Sequence, residues 1–240
     1  MGRTSGIVLQ EKLFTGAGAP PDEFKDLSKH GNDGVHTDIT WERQPRGIWM
    51  RGFDAAPSFV NCGNDTSLRC SDNITAMAWV RTPATFQVDD SGLWRTIEGI
   101  YNPAAIKRVW IFGLGNPDAD GLPSRYLFFA FGDPADGTLE GRVYVNEALV
   151  ESTIYHFMFT FTGGTLVPYI NNQPRALTVF DGAVPASLYA TDADYVIGAN
   201  AGGGTPIRAH IACCRFYSRV LTEPERTNLW NSQKGWFGYG

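Results

Sequence analysis

The run Asn73–Thr82, NITAMAWVRT, restricts the folds open to this chain more than any other stretch. Ile74, Ala76, Ala78 and Val80 alternate with Thr75, Met77, Trp79 and Arg81. A strand that buries one face and wets the other is apolar at every second position only. Met77 and Trp79 break that rule, so the run reads as a central strand with a layer of structure on each face. Ser58–Thr82 as a whole reads as a short strand, a turn-rich loop and then this strand.

The rest of the pattern is also β. In Tyr155–Thr162, Tyr155, Phe157, Phe159 and Phe161 share one face, and His156, Met158, Thr160 and Thr162 share the other. Four aromatics on one side imply a core-facing strand. Gly163-Gly164 turns it into Leu166–Ile170, and Asn171-Asn172 supplies the positive-φ positions of a tight hairpin. Trp49–Asp54, Trp94–Tyr101, Val109–Leu114, the apolar run Arg125–Phe131, Arg142–Asn146, Tyr195–Ala199 and Ala209–Ser218 are strand-like. Between them lie turn-formers such as Gly115–Ser124, Gly132–Thr138 and Gly202–Gly204. Thr222-Glu223-Pro224-Glu225 fits a capping box that opens a short helix. About a dozen short strands and one terminal helix predict an all-β chain, a two-sheet antiparallel jelly-roll sandwich with one short C-terminal helix. Residues 1–24, broken by GAGAPP at Gly16–Pro21, read as an arm outside the core. Residues 25–233 form the domain, and 234–240 form an aromatic, Gly-rich tail.

Charge and cysteines exclude several functions. The net charge is −5 and Lys and Arg are scattered, which argues against a nucleic-acid partner. No apolar run reaches the ~18 residues needed to span a bilayer, so no membrane insertion is expected. Ile7–Leu9 is too short for a secretory core, which predicts synthesis in a cytosol without export by the usual route. Met1-Gly2 with Ser5-Gly6 matches an N-myristoylation signal only in part, because residue 6 is Gly. Asn64-Asp65-Thr66 and Asn73-Ile74-Thr75 carry the N-x-T pattern but read as turn and strand residues. Four cysteines in a cytosolic chain are expected reduced. Cys62 and Cys70 flank one loop, and whether they bridge is open. Cys213 and Cys214 are neighbours in a strand and should point to opposite faces. No C-x-x-C pair or His/Cys spacing suits zinc, and no metal or cofactor is expected.

Four blocks together resemble the laminin-G-like domains of the concanavalin A-like jelly-roll superfamily. Asp26-Leu27-Ser28 followed by Gly31-Asn32-Asp33-Gly34 resembles the opening turn. Phe59-Val60 through Asn61-Cys62-Gly63-Asn64-Asp65, with Leu68, Ile74-Thr75 and Ala78-Trp79-Val80, resembles the second block. Tyr155-His156-Phe157 to Thr162-Gly163-Gly164 and Tyr169-Ile170-Asn171 are similar to the family's W-H-H-V…Y-D-G…L-Y-V-N-G hairpin. Ile211 with Arg215–Thr222 is similar to its closing strand and helix. The resemblance implies a fold shared by lectins, glycoside hydrolases, adhesion modules and accessory domains of virus particles. The acidic pair that follows the closing-strand Ile in many relatives, where parts of the superfamily hold calcium, is Ala212-Cys213 here. The hairpin Asp is Thr162. Calcium needs oxygen ligands, so none is expected at these places.

Three functions make different demands on these residues. A glycosidase needs two carboxylates ~5–9.5 Å apart, and family hydrolases carry Glu-x-Asp-x-Glu on one strand. Here Glu98 stands alone in its strand, Glu140, Glu147 and Glu151 sit near strand ends, and Asp89-Asp90, Asp118 and Asp120 fall in loops. His30, His36, His156 and His210 lack a Ser or Cys partner in any known motif, and His156 reads as structural. A lectin needs an exposed aromatic near amides and acids, for which Trp94, Tyr101 with Asn102, and Trp110 are the candidates. A structural module in a larger assembly would dock through its arm and tail, with Phe14, Trp236, Phe237 and Tyr239 as contacts. The leading expectation is a non-enzymatic virion accessory protein, a phage capsid decoration or attachment protein. It would act through protein partners or itself, and would assemble in host cytoplasm. A carbohydrate-binding, lectin-like module recognising a cell-surface glycan, extracellular, is the alternative, and a glycoside hydrolase is third.

Overall fold

The computed structural model describes residues 6–18, 20–54, 57–69, 72–86, 95–115, 125–201, 203–204 and 206–240. Trp94, Cys70, Asp89, Asp90, Asp118, Asp120, the first five residues and the Glu140 side chain lie outside that description. The described residues form β1 (Ile7–Gln10), β2 (Val35–Thr37), β3 (Thr40–Arg43), β4 (Trp49–Gly52), β5 (Phe59–Asn61) and β6 (Asn73–Arg81). They continue with β7 (Arg95–Asn102), β8 (Lys107–Gly115), β9 (Tyr126–Gly132), β10 (Leu139–Tyr144), β11 (Ile154–Thr162) and β12 (Thr165–Ile170). The last elements are β13 (Gln173–Pro174), β14 (Thr178–Asp181), β15 (Tyr195–Ile197), β16 (His210–Tyr217) and the helix α1 (Glu223–Gln233). The first sheet runs β13-β12-β11-β6-β16-β4-β3, with β1 added on β16, and the second runs β14-β10-β9-β8-β7-β15-β5-β2. The fold is the expected antiparallel jelly-roll sandwich with one C-terminal helix.

β6 sits between β11 and β16. On its inner face Ile74, Ala76, Ala78 and Val80 join the core between the sheets. Small alanines there leave room for the rings opposite. Phe159 of β11 meets Trp110, Phe112 and Phe129 edge-on at 5.2, 5.4 and 5.6 Å. On the outer face Met77 and Trp79 enter a second core with Ile48, Met50, Met158, Tyr217, Leu229 and Phe237. Each large apolar side chain buried this way contributes roughly 1.5–3 kcal/mol.

The chain end supplies that outer layer. Phe237 stacks on Trp79 at 3.9 Å and Trp230 stacks on it at 5.3 Å. The Trp79 indole N–H donates to Gln233 at 2.7 Å. The Tyr239 hydroxyl donates to the carbonyl of Ile154. α1 starts at the expected capping box, where the Thr222 N–H donates to Glu225 at 2.8 Å. Hydrogen bonds from Arg219 hold the Glu225 carboxyl down to about 2. The tail was expected outside the domain, free for partners. Phe237 is instead only 5% exposed, because an outward Trp79 left uncovered would wet a large apolar surface.

β16 carries a bulge. Cys213 has φ of 56° and the register with β6 breaks between Ala212 and Arg215. Ala212 and Cys213 therefore both face the outer core, while Cys214 faces the inner one. The two thiols point apart, as expected. Cys62, Cys213 and Cys214 are free and buried.

The expected N-terminal arm is likewise part of the sheet. β1 pairs antiparallel with β16, and Val8 and Leu9 are buried in the inner core. The short apolar run Ile7–Leu9 thus serves as an edge strand. Glu11 then forms a buried ion pair with Arg51, and its other oxygen accepts from the Cys214 N–H at 3.0 Å. The Arg51 guanidinium lies 4.9 Å from the Phe24 ring and 4.7 Å from the Trp41 ring. Its Nε donates to His36 at 3.1 Å, and the other ring nitrogen of His36 meets Asp22 at 2.9 Å. Asp26 accepts from the N–H groups of Gln10, Ser28 and Asn32 at 2.8–2.9 Å, tying the opening turn to β1.

Removing one member of a buried pair leaves the other charge uncompensated. Glu11→Ala should therefore lower stability by about 3–5 kcal/mol, read from the urea midpoint. A loss under about 1 kcal/mol would mean that the pair is solvated.

Candidate functional site

The inner faces of both sheets are closed by the core, and the outer face of the first by α1 and the tail. On the outward side of the second sheet the central residues Tyr101, Ile111, Phe128 and Ala130 are buried, and the open part is the β2–β5 edge. Val60 points into the core, so its neighbours Phe59 and Asn61 point outward. In β2, Val35 stands opposite Asn61 and Thr37 opposite Phe59. These four residues, with Asp33, Cys62 and Gly63, line an open groove of about 460 Å³ at the sheet edge.

The groove has an apolar floor and an oriented polar rim. Phe59 is half-buried and shows part of its ring. The Asn61 side chain accepts from the Gly63 N–H at 2.7 Å and donates to Asp194 at 2.8 Å, which fixes its amide. Asn64 donates to the Asp192 carbonyl at 2.8 Å. Hydrogen bonding to Lys25 holds the Asp33 carboxyl below its usual range, and Lys107 does the same for Asp192. Both are carboxylates at neutral pH. The Cys62 side chain turns into the inner core, where burial pushes its thiol well up, so it stays protonated and poorly nucleophilic.

A second outward cluster lies across β9, β10 and β14. Tyr126 and Tyr144 are half-buried and meet edge-on at 5.7 Å. Phe180 lies 6.2 Å from Phe128 with the Arg142 guanidinium 4.6 Å over its ring, and Arg142 pairs with Asp181. Between this cluster and the groove, the outward positions are lined by Gly99, Tyr101, Ile111 and Ala130.

The candidates named from sequence sit elsewhere. Trp110 is fully buried in the inner core, stacked with Phe216 and edge-on to Tyr195, so it cannot present a face to a ligand. Tyr101 is on the outward side but only 4% exposed, with Arg108 over its ring at 5.7 Å. Asn102 ends β7, where its side chain accepts from the Ala105 N–H at 3.1 Å and holds a turn. Trp94 lies outside the described residues. Phe14 is half-buried, edge-on to Trp41 at 5.5 Å. Of the tail, Trp236 is 47% exposed while Phe237 and Tyr239 pack inward. Phe59 and Asn61 were legible only as fold markers. Tyr126 was hidden in an apolar run whose alternate residues, Tyr126, Phe128 and Ala130, face away from the core.

Two further sites bear on chemistry. Glu98 is fully buried and accepts from the Tyr195 hydroxyl at 2.8 Å. Burial pushes its carboxyl well above the ordinary value of 4.5. Ala212 and Cys213 lie buried in the outer core, and the Thr162 hydroxyl donates to Asn73. Among the described residues, no group of three or more His, Cys, Asp or Glu is placed to hold a metal ion, and no helix is long and apolar enough to cross a membrane.

The concanavalin A-like lectin/glucanases superfamily profile matches residues 58–225. The chain belongs to that superfamily. No curated protein sequence matches it. The binding domain of Paraclostridial Mosquitocidal Protein 1 superposes with a TM-score of 0.68 at 16% identity, over 98% of this chain and 55% of that one. The botulinum neurotoxin serotype D binding domain gives 0.63 at 11% identity, over 95% and 51%. Domain 4 of AbnA, an extracellular arabinanase from Geobacillus stearothermophilus solved with arabinotriose, gives 0.60 at 16% identity, over 92% and 98%. This chain thus spans about half the length of the toxin domains and nearly all of the arabinanase domain. At these identities the likeness is one of fold.

The Glu98 environment has a pH signature. A carboxyl raised in the folded state contributes stability that is full below its unfolded value and is lost as pH rises toward the folded one. Glu98→Gln, neutral at every pH, should match the native chain near pH 4. It should become progressively more stable above that, with a limiting slope of about 1.4 kcal/mol per pH unit. Equal melting temperatures of the two proteins from pH 4 to 8 would show that Glu98 is ionised in its pocket.

Proposed function

We propose that this chain is a non-catalytic saccharide-binding module whose site is the groove over the outward side of β2 and β5. The observation that carries this is the half-buried Phe59 in the groove wall beside the Asn61 amide, fixed by Asp194, and the Asp33 carboxylate. The C–H face of a sugar stacks on an aromatic ring while its hydroxyls bond to amides and carboxylates. An open groove on a rigid sheet suits one or two residues of a glycan chain. The AbnA domain, a binding partner of arabinotriose on the same fold, supports this by analogy of fold alone.

Catalysis has little support. A glycosidase pairs an ionised carboxylate with a second carboxyl kept protonated near neutral pH. Asp33 and Asp192 are held ionised, and Glu98, the carboxyl that burial raises, has no path to the groove. Protein docking in a virus particle would need a free arm and tail. Both pack on the first sheet, and exposed Trp236 is the specific support that remains for that reading. An extracellular place of action goes with the saccharide reading.

Calorimetric titration with arabino-oligosaccharides and β-glucan fragments tests it. Binding should weaken at least about tenfold in both Phe59→Ala and Asn61→Ala, near 1.4 kcal/mol each, and stay unchanged in Trp236→Ala. No reducing ends should be released. Absence of binding across the panel, or equal binding by both groove variants, would refute the site. Co-purification with virus particles that Trp236→Ala abolishes would favour the other reading.

A further inference from the structure

We propose that the C-terminal cap is an acid-sensitive latch, in which the charging of His156 lifts α1 and the tail off the first sheet. His156 points outward from β11, opposite Trp79 of β6, and is fully buried beneath the cap. Its ring lies 4.9 Å from the Trp79 ring and 5.6 Å from that of Trp230. Its backbone N–H donates to Asn171 at 2.9 Å, but neither ring nitrogen has a hydrogen-bond partner. A neutral imidazole tolerates an aromatic box. An imidazolium there would be a buried charge with two unmatched N–H donors, the arrangement proteins avoid most strongly.

The surroundings offer that charge no counter-ion. Arg81 is on β6 and pairs with Glu42. β12 contributes Tyr169, with Arg226 of α1 over its ring at 4.4 Å. β16 contributes Arg215, the neighbouring charge that acts on His156, and it repels. On α1, Glu225 is held by Arg219 and Glu223 sits in the exposed first turn. The tail adds Lys234 and Tyr239, and β11 itself adds Tyr155. Burial accordingly holds the imidazole down to about 3 from its ordinary 6.5.

The cap is held by the Trp79 stacks and the burial of Leu229 and Phe237, by the Trp79–Gln233 and Tyr239–Ile154 hydrogen bonds, by one from Arg46 to the Gly235 carbonyl at 3.0 Å, by the Arg226–Tyr169 contact and by a 3.3 Å contact between Asn172 and Thr227. Once lifted, it exposes His156 to water, where the ring binds its proton at the ordinary value. A depressed histidine favours the closed state fully above about pH 6.5, and each pH unit below that raises the open-to-closed ratio about tenfold. His36 and His210 are also lowered by burial, yet each faces a carboxylate, Asp22 and Glu42. A cap-confined pH response that His156→Phe abolishes, with His36 and His210 still in place, separates His156 from them.

Amide hydrogen exchange, resolved by residue at pH 7.5 and 4.5, is the test. The N–H groups of Lys234, Phe237 and Tyr239 are bonded within the cap. Their protection factors should fall about a hundredfold between the two pH values, since ~2 pH units lie below the histidine's ordinary range, while those of β8 and β9 stay high. In His156→Phe, cap protection should no longer depend on pH. An equal fall in cap and core, or the same pH dependence in His156→Phe, overturns the proposal. If that variant does not fold, the native His156 ring is titrated by NMR. A ring that stays neutral until the cap amides lose protection supports the latch, and a charged ring under a closed cap at pH 5.5 overturns it.

Discussion

The stacking of Trp79 between its own sheet and the chain's last residues is the interaction on which the architecture depends. A jelly roll needs only two layers. β6 carries bulky apolar residues on both faces, so the first sheet becomes the middle layer of three. The second sheet closes one face with Trp110, Phe112, Phe129 and Phe131, and α1 with Phe237 closes the other. Gln233 satisfies the one polar atom that Trp79 brings into that layer.

Both ends of the chain converge on this sheet. β1 extends it beside β16, and the Glu11–Arg51 pair, clasped between Phe24 and Trp41, fixes it there. A buried pair of this kind adds little net stability but makes any other register costly, because separating the partners strands two charges. With the first sheet covered by α1 and the tail, and the middle of the second sheet's outward face buried, the edges of the second sheet are what is left for recognition. The groove at β2 and β5 and the aromatic cluster on β9, β10 and β14 are both on that face.

What could be read from sequence followed the range of the interactions. The period-2 pattern of β11, the double-sided pattern of β6, the capping box at Thr222 and the opposed Cys213 and Cys214 are local signals, and each marks what forms. The arm and tail are illegible locally because their partners are distant: Glu11 meets Arg51 forty residues on, and Phe237 meets Trp79 across most of the chain. Trp110 shares the inner face of β8 with its alternate residues Phe112 and Leu114, so the same period-2 pattern that marks β11 already places its ring in the core. The register shift near Tyr101 turns Val109 inward as well. The groove draws on Asp33, Phe59, Asn61 and Asp194, which only the strand order brings together.

Removal of residues 222–240 is the most direct test of the three-layer account. The truncated chain should lose several kcal/mol of stability, as expected from exposing a handful of large apolar side chains. Trp79 emission should shift to the red, and the bared sheet should bind a hydrophobic dye. A truncated chain that keeps the native urea midpoint and leaves Trp79 shielded from quenchers would contradict the claim that the first sheet depends on the cap.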